Sequence, residues 1–232
     1  MLILSIDTST HICSVALAEN GKNIAWQENT EGQLHASIIT KQIELLLKIT
    51  GHTLNKLSAI AISKGPGSYT GLRIGTSAAK GLCYALDIPM IGIPTLQALA
   101  IGGIEYAQDI SENILYIPML DAMRMEVYTA VYTNKLHAVL PPEAMIIASD
   151  SLKQYFDTTT CYYFGTGAAK CVSQFTHKNA THLPNITCSA KNMAALAYEK
   201  FVKGSFENTA YFYPDYLKPY YSTNTKIQNL QT

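Results

Sequence analysis

Charge is scarce in this chain and sums to nothing: ionic residues make up 15% of the 232, and seventeen basic side chains offset seventeen acidic ones. Without a net field nothing draws it onto a polyanion, so direct RNA binding by the chain alone is disfavoured. Its cysteines (Cys13, Cys83, Cys161, Cys171, Cys188) are odd in number and include no C-x-x-C pair. That argues against a disulfide framework or a thiolate zinc site and for small buried thiols in a reducing compartment. The six histidines (His11, His35, His52, His137, His177, His182) include no pair four apart and no His-Glu-x-x-His, so no metal centre or metalloprotease site is expected. Ser68 and Ser77 have no histidine near them in sequence, which leaves a nucleophilic hydrolase without positive support. No run is long and apolar enough for a membrane span, because Asp87, Pro89 and Pro94 interrupt the stretch from Gly81 to Ile104. Met1-Leu-Ile-Leu-Ser-Ile lacks the basic start of a signal peptide, and a cytoplasmic protein is expected.

What the chain does have is core-building material. Hydrophobic residues reach 48%, enough to exclude disorder and to fill one body or two small similar lobes. Leu2 to Asp7, Cys13 to Glu19 and Lys22 to Asn29 read as three antiparallel strands, the last two joined at Asn20-Gly21. Gln33 to Thr50 has helical spacing. Leu57 to Ser63 is a buried strand, Ser68 to Leu86 a helix, Pro89 to Ile93 a strand and Thr95 to Ala107 a helix. The order recurs in weakened form, with strands at Ile114 to Met119, Val127 to Tyr132 and Cys161 to Phe164 and a capped helix from Ser189 to Lys203. These patterns divide the chain into a first lobe (1–107), a reduced second lobe (108–210) and an extended arm and tail (211–232).

Two helices stand out. On a wheel of about 100° per residue, Leu34, Ile38, Leu45 and Ile49 form one apolar stripe of the first helix and Ile39, Ile43, Leu46 and Leu47 another, with His35 and Gln42 between them. One stripe can face the sheet; the second needs a cover, either a neighbouring helix of the same lobe or another chain. The next helix places Gly71, Gly75, Ala78, Ala79 and Gly81 where better helix formers would stand, and each interior glycine costs about 0.5–1 kcal/mol relative to alanine. Close approach of a backbone or ligand is the expected compensation. The second stripe and the small-residue face are therefore assigned together to an interface between chains, built from Leu34, His35, Ile38, Ile39, Gln42, Ile43, Leu46, Gly71, Leu72, Gly75, Thr76 and Ala79. A leucine at Gly75 is expected to block that packing and leave the lobe folded. The same helices are also able to support a homodimer.

Lys64-Gly-Pro-Gly-Ser-Tyr-Thr-Gly-Leu-Arg-Ile-Gly75 resembles the signature shared by the TsaB (YeaZ) and TsaD families. Ile6-Asp7-Thr8-Ser9, Asp121-Ala-Met-Arg-Met-Glu-Val-Tyr128, Gly165-Thr-Gly167 and Pro214-Asp-Tyr-Leu-Lys-Pro219 extend the likeness over nearly the whole chain. It implies an α/β, two-lobed fold of the actin-like ATPase (sugar kinase, Hsp70 and actin) superfamily with the second lobe reduced. TsaD carries two metal-binding histidines four apart; the matching positions here are Thr95 and Leu99, which cannot replace imidazoles on a transition metal. The resemblance thus points to TsaB, a non-catalytic subunit without cofactor in the machinery for N6-threonylcarbamoyladenosine in tRNA. It implies TsaD as partner through helices 33–50 and 68–86, the ATPase TsaE at the joint surface, and tRNA only through the assembly. Asp7, Thr8, Ser9, Asp121, Gly165 and Gly167 occupy places where nucleotide-binding members of the superfamily hold phosphates, hydrated Mg²⁺ and adenosine. Their other reading is as turn caps and a tight strand-to-helix turn. The rival from another class is an autonomous ATP-dependent phosphotransferase, although Ala-Met-Arg-Met after Asp121 is too bulky for close phosphate approach.

Overall fold

The computed structural model describes residues 1–30, 35–109, 111 and 113–218. Its strands form two five-stranded sheets of the same design. In the first, β1 (Leu2–Asp7), β2 (Cys13–Glu19) and β3 (Lys22–Asn29) make an antiparallel meander. β4 (Ala59–Ser63) and β5 (Met90–Ile93) then add in parallel beside β1, giving the order β3-β2-β1-β4-β5. The second repeats this with β6 (Ile114–Asp121), β7 (Glu126–Thr133), β8 (Ala138–Ile146), β9 (Thr160–Phe164) and β10 (Ala180–Leu183), in the order β10-β9-β6-β7-β8. Asp7 and Asp121 stand at equivalent places, each the last residue of its lobe's first strand, paired with Ser14 and Val127 respectively. This is the two-lobed actin-like architecture.

Helices make the lobes unequal. Between β3 and β4 runs α1 (His35–Thr50), and between β4 and β5 runs α2 (Tyr69–Leu86). Their counterparts in the second lobe are the single turn α4 (Lys153–Phe156) and a 3-10 turn at Ala169–Cys171. Both faces of the first sheet are apolar, as burial between two helical layers requires. Leu2, Leu4, Ile6, Val15, Ile60 and Ile62 meet α1 and α2; Ile3, Ala16, Ala59, Ala61, Ile91 and Ile93 meet the layer beneath.

That lower layer revises the lobe boundaries. The helix expected from Ser189 to Lys203 is a 3-10 turn at Ala190–Met193 running into α5 (Ala194–Val202). Through Ala190, Met193, Leu196 and Ala197 it covers the first sheet, not its own. α3 (Thr95–Ala107) crosses the other way, placing Leu96, Leu99 and Ala100 on the second sheet against Tyr116, Leu120, Ala130 and Phe164. A division at 107/108 separates the sheets but not the helices that complete them, because each lobe's last helix packs in the space between the two.

β8, β10 and α4 had no sequence reading. Pro141 and Pro142 obscure β8, and they are tolerated because β8 is an edge strand whose register against β7 slips where they fall. All five cysteines are free and buried. Among the described residues no helix is long and apolar enough to cross a membrane.

α3 approaches the second sheet closely at Gly103, where a β-carbon would overlap the Phe164 ring. Gly103→Ala should therefore destabilise the protein by about 1–3 kcal/mol through overpacking. Gly81→Ala, where a β-carbon meets nothing within 4 Å, should stabilise it by about 0.5–1 kcal/mol. Urea denaturation midpoints of the two variants check both signs.

Candidate functional site

Two surfaces are candidates: the cleft between the lobes and the outward face of α1 and α2. Both meet at the turn after β1. Asp7 accepts hydrogen bonds on Oδ1 from Ser9 N (2.9 Å), Ser9 Oγ (2.6 Å) and Ser63 Oγ (3.1 Å). Its Oδ2 is buried without a partner, and burial pushes its pKa upward, outweighing the hydrogen bonds that favour the carboxylate. Thr8 and Ser9 are buried beside it. Thr8 Oγ1 donates to Gly71 O (2.7 Å), and Ser9 O accepts from Ser68 N (2.7 Å). Ser68 also caps α2, its hydroxyl accepting from Gly71 N.

This seat corrects the assignment of the glycine row to another chain. A β-carbon at Gly71 would overlap Thr8 O, and one at Gly75 would overlap Thr8 Oγ1 and come within 3.0 Å of Ile62 Cδ1. Gly71, Leu72, Gly75, Thr76 and Ala79 are all buried within the lobe. The backbone that approaches them is the chain's own β1 turn.

α1 behaves partly as its wheel suggests. Ile39, Ile43, Leu46 and Leu47 are buried, whereas Leu45 and Ile49 remain 45% and 55% exposed. Ile38 and Gln42 are half-buried, Ile38 against the core and Gln42 donating to Cys13 O (3.4 Å). Ile39, Ile43 and Leu46 thus serve the lobe's own core. Leu34 lies outside the described residues, as does the side chain of His35. Facing outward is an open groove lined by Ala36, Ile39 and Thr40 of α1 and by Tyr69, Thr70, Arg73, Ile74, Ser77 and Ala78 of α2. Of these the sequence singles out Ile39 and, in its row of small residues, Ala78; the polar and apolar residues that alternate with the small ones on α2 escaped.

The interlobe cleft has a volume of about 680 Å³ and gathers Ser9, Ser68, Tyr69, Asp121 and Thr166 among its lining. Asp121 repeats the Asp7 turn, its Oδ1 accepting from Met123 N at 3.1 Å. Lys170 caps it: the ammonium donates to Asp121 Oδ1, to Arg124 O (2.7 Å) and to Glu126 O (2.6 Å). All three protons of that ammonium are engaged, so Asp121 already faces a fixed cation. Lys170 gave no signal in the sequence because its partners lie 44 to 49 residues away.

Gly165 (φ +104°) and Gly167 turn tightly under the end of β6. A β-carbon at Gly165 would come within 2.9 Å of Leu99 Cδ2, and one at Gly167 within 2.9 Å of Leu120 O. Gly167 N donates to Met119 O (3.0 Å). Asp7, Asp121, Gly165 and Gly167 all have structural employment as turn residues. Thr95 and Leu99 are fully buried as well, Thr95 Oγ1 accepting from Gly65 N (3.1 Å) and Leu99 packing in the core around Phe164.

The chain's own arm borders the cleft. Asp215 N donates to Lys64 O (2.6 Å), and its carboxylate pairs with Lys64 Nζ (3.1 Å). Tyr216 packs on Tyr69 with ring centroids 4.9 Å apart, and Lys218 pairs with Glu126 across the cleft. Asp215, Tyr216, Leu217 and Lys218 thereby supply one wall.

Comparison with known proteins matches residues 28–220 to a family model described as TsaD, tRNA N6-adenosine threonylcarbamoyltransferase. The tRNA threonylcarbamoyladenosine biosynthesis protein TsaB of Haemophilus influenzae is 31% identical over 228 residues, covering 94% of either chain. YeaZ from Pseudomonas aeruginosa is 26% identical with a TM-score of 0.76, the likeness covering 93% of this chain and 99% of that one. The ethanolamine utilization protein EutJ of Carboxydothermus hydrogenoformans shares the fold alone, at 10% identity and a TM-score of 0.54 over 85% of this chain and 90% of that one.

Two outcomes follow from these contacts. Gly75→Leu should fail to fold or lose several kcal/mol, as overpacked core substitutions do, and soluble yield with thermal denaturation will show it. Asp7, with its raised pKa, contributes stability below the ordinary carboxylate pKa that is lost as the pH rises through the folded-state value. As the pH rises from about 4, the ordinary carboxylate value, the stability difference between wild type and Asp7→Asn should move in favour of the variant until the folded-state value of Asp7 is passed, measured by urea titration at each pH.

Proposed function

The chain belongs to the TsaB family of tRNA threonylcarbamoyladenosine biosynthesis, and on that footing we propose that it is the non-catalytic scaffold of the transferase complex, docking and stabilising TsaD. The observation that carries this reading is the division of labour on α1 and α2. Their inner faces complete the lobe's core, and their outer faces leave an open groove of Ala36, Thr40, Ile74 and Ala78 edged by Tyr69, Thr70, Arg73 and Ser77. Small and hydroxyl side chains on two adjacent helices let a further helix approach at the 8–10 Å spacing of packed helices. The surface joining chain and partner is then where TsaE docks, and tRNA is met only through the assembly. The protein is expected to work in the cytoplasm, where tRNA is modified.

Chemistry is assigned to TsaD for reasons local to this chain. Thr95 and Leu99, at the positions where the resemblance places two histidines, are a turn anchor and a core residue. Asp121 is engaged by Lys170, and the arm occupies one wall of the cleft. One observation favours the rival phosphotransferase reading: the cleft lies between the two Asx turns, where kinases of this architecture place their nucleotide. Calorimetry of the full chain with ATP and Mg²⁺ decides between them, since micromolar binding with turnover would count for the rival.

Thr40 is exposed on the groove wall. Thr40→Trp should fill the groove without disturbing the core and weaken binding to TsaD from the same organism at least about tenfold. Ile146→Asp, on the opposite lobe's edge strand, should bind as wild type does. Equal retention of TsaD by wild type and Thr40→Trp would remove the groove from the interface.

A further inference from the structure

Every Asp, Glu, Lys or Arg that lines the interlobe cleft is already answered from within the chain. Asp121 pairs with Lys170, Asp215 with Lys64 (3.1 Å) and Lys218 with Glu126. The hydrated Mg²⁺ that the resemblance places at Asp121 does not fit, because an ammonium with all three protons engaged stands against that carboxylate. The cleft is left with hydroxyls, aromatic rings and apolar side chains, and one of its walls is the chain's own arm.

The arm reaches that wall across the first lobe. Glu207 N donates to Met90 O (2.9 Å) at the outer edge of β5, Lys80 Nζ of α2 donates to Ala210 O (3.3 Å), and Phe212 packs against the first core. Over the loop before α2 the fit is close. A β-carbon at Gly65 would come within 2.5 Å of Asp215 O, and Asp215 N donates to Lys64 O (2.6 Å). Tyr216 rests on Tyr69. Beyond that point the arm leaves the first lobe, and Lys218 pairs with Glu126 at the start of β7 in the second. Glu126 is itself fixed, its carbonyl accepting from Lys170 (2.6 Å) and its N–H donating to Met123 O (3.1 Å).

We infer that the arm is a strap across the cleft, and that its Lys218–Glu126 clasp is the reversible element holding the two lobes at their closed angle. The cleft lies beyond the carboxyl ends of β1, β4, β6 and β9, and no residue of α3 or α5 lines it. Those helices interlock the lobes away from the cleft, whereas the strap joins them across it. The arm's earlier anchors all belong to the first lobe, which makes Lys218 the step at which the strap opens. A partly exposed ion pair is weak and screened by salt, so the clasp breaks and re-forms without unfolding either lobe. With the clasp made, Asp215 to Lys218 narrow the cleft; with it broken, the lobes are free to part. The inference is independent of what docks on α1 and α2.

The test uses the full chain with nitroxide labels on Asn55→Cys in the first lobe and Gln154→Cys in the second. Both positions are exposed, and the five native thiols are buried. Pulsed electron resonance then reads the distribution of interlobe distances, and the labelled parent should show one main distance. Lys218→Ala and Glu126→Gln should each raise the population at other distances about three- to fivefold. Salt at about 1 M should do the same to the labelled parent, with no substitution in the clasp. Exchanging the charges, Lys218→Glu with Glu126→Lys, should restore the parent distribution. Lys203→Ala, which breaks the exposed pair with Glu199 on α5, should leave it unchanged. A clasp variant that keeps the parent distribution, or a charge exchange that fails to restore it, overturns the inference. A broad distribution in the labelled parent at low salt overturns it too, since the lobes would then part with the clasp intact.

Discussion

The contact on which the structure turns is the seating of the β1 turn on the backbone of α2. Thr8 and Ser9 reach the first turns of that helix closely enough that no β-carbon fits at Gly67, Gly71 or Gly75. Two helical glycines forgo about 1–2 kcal/mol of helix propensity. In return the Thr8–Gly71 hydrogen bond forms in the buried interior, where a polar group left unpaired would cost about 1–3 kcal/mol, and the Ser68–Ser9 hydrogen bond ties the helix start to the turn at the edge of the cleft. The helix is thereby fixed against both the sheet and the mouth of the cleft. Its remaining surface, Tyr69, Thr70, Arg73 and Ser77, is presented at a set angle beside α1.

Duplication of one sheet design, followed by unequal use, accounts for much else. The first lobe keeps full helices over one face and borrows α5 for the other. The second keeps its strands and replaces the equivalent helices by turns, relying on α3 for its inner face. The Asx turns at Asp7 and Asp121 survive in both lobes, one buried and with a raised pKa, the other half-exposed and neutralised by Lys170. Since each lobe needs a helix carried by the other's stretch of chain, they are interlocked. The arm adds the Lys64–Asp215 and Lys218–Glu126 ties across the cleft.

Much of this architecture was legible in order along the chain. Strand alternation and helical spacing give the first lobe nearly residue by residue, because its elements are long and uniformly apolar on their buried faces. α3 matches its expected ends at Thr95 and Ala107. β8 escaped because Pro141-Pro142 speaks against a strand when the edge position that tolerates it is unknown. The site was legible in part. Burial separates the two apolar stripes of α1 only in part: Ile39, Ile43, Leu46 and Leu47 lie inside and Leu45 and Ile49 outside, but Ile38 of the outer stripe packs against the core. The glycine row was recognised as a place of close approach, but the approaching group was misassigned, since spacing shows that something comes near without showing what.

The sequence by itself determined the family, the two-lobed α/β architecture, and the existence of a helix pair with more apolar and small-residue surface than one sheet requires. Those properties are local or periodic: a twelve-residue signature, a strand period of two, a helical period of 3.6. Tertiary structure alone decided which face of that helix pair remains free, that Lys170 answers Asp121 from 49 residues away, that α3 and α5 cross between lobes, and that Tyr216 backs Tyr69 behind Arg73. These depend on contacts between distant segments, and a pattern read along the chain carries no record of which distant backbone will fill a gap left by a glycine.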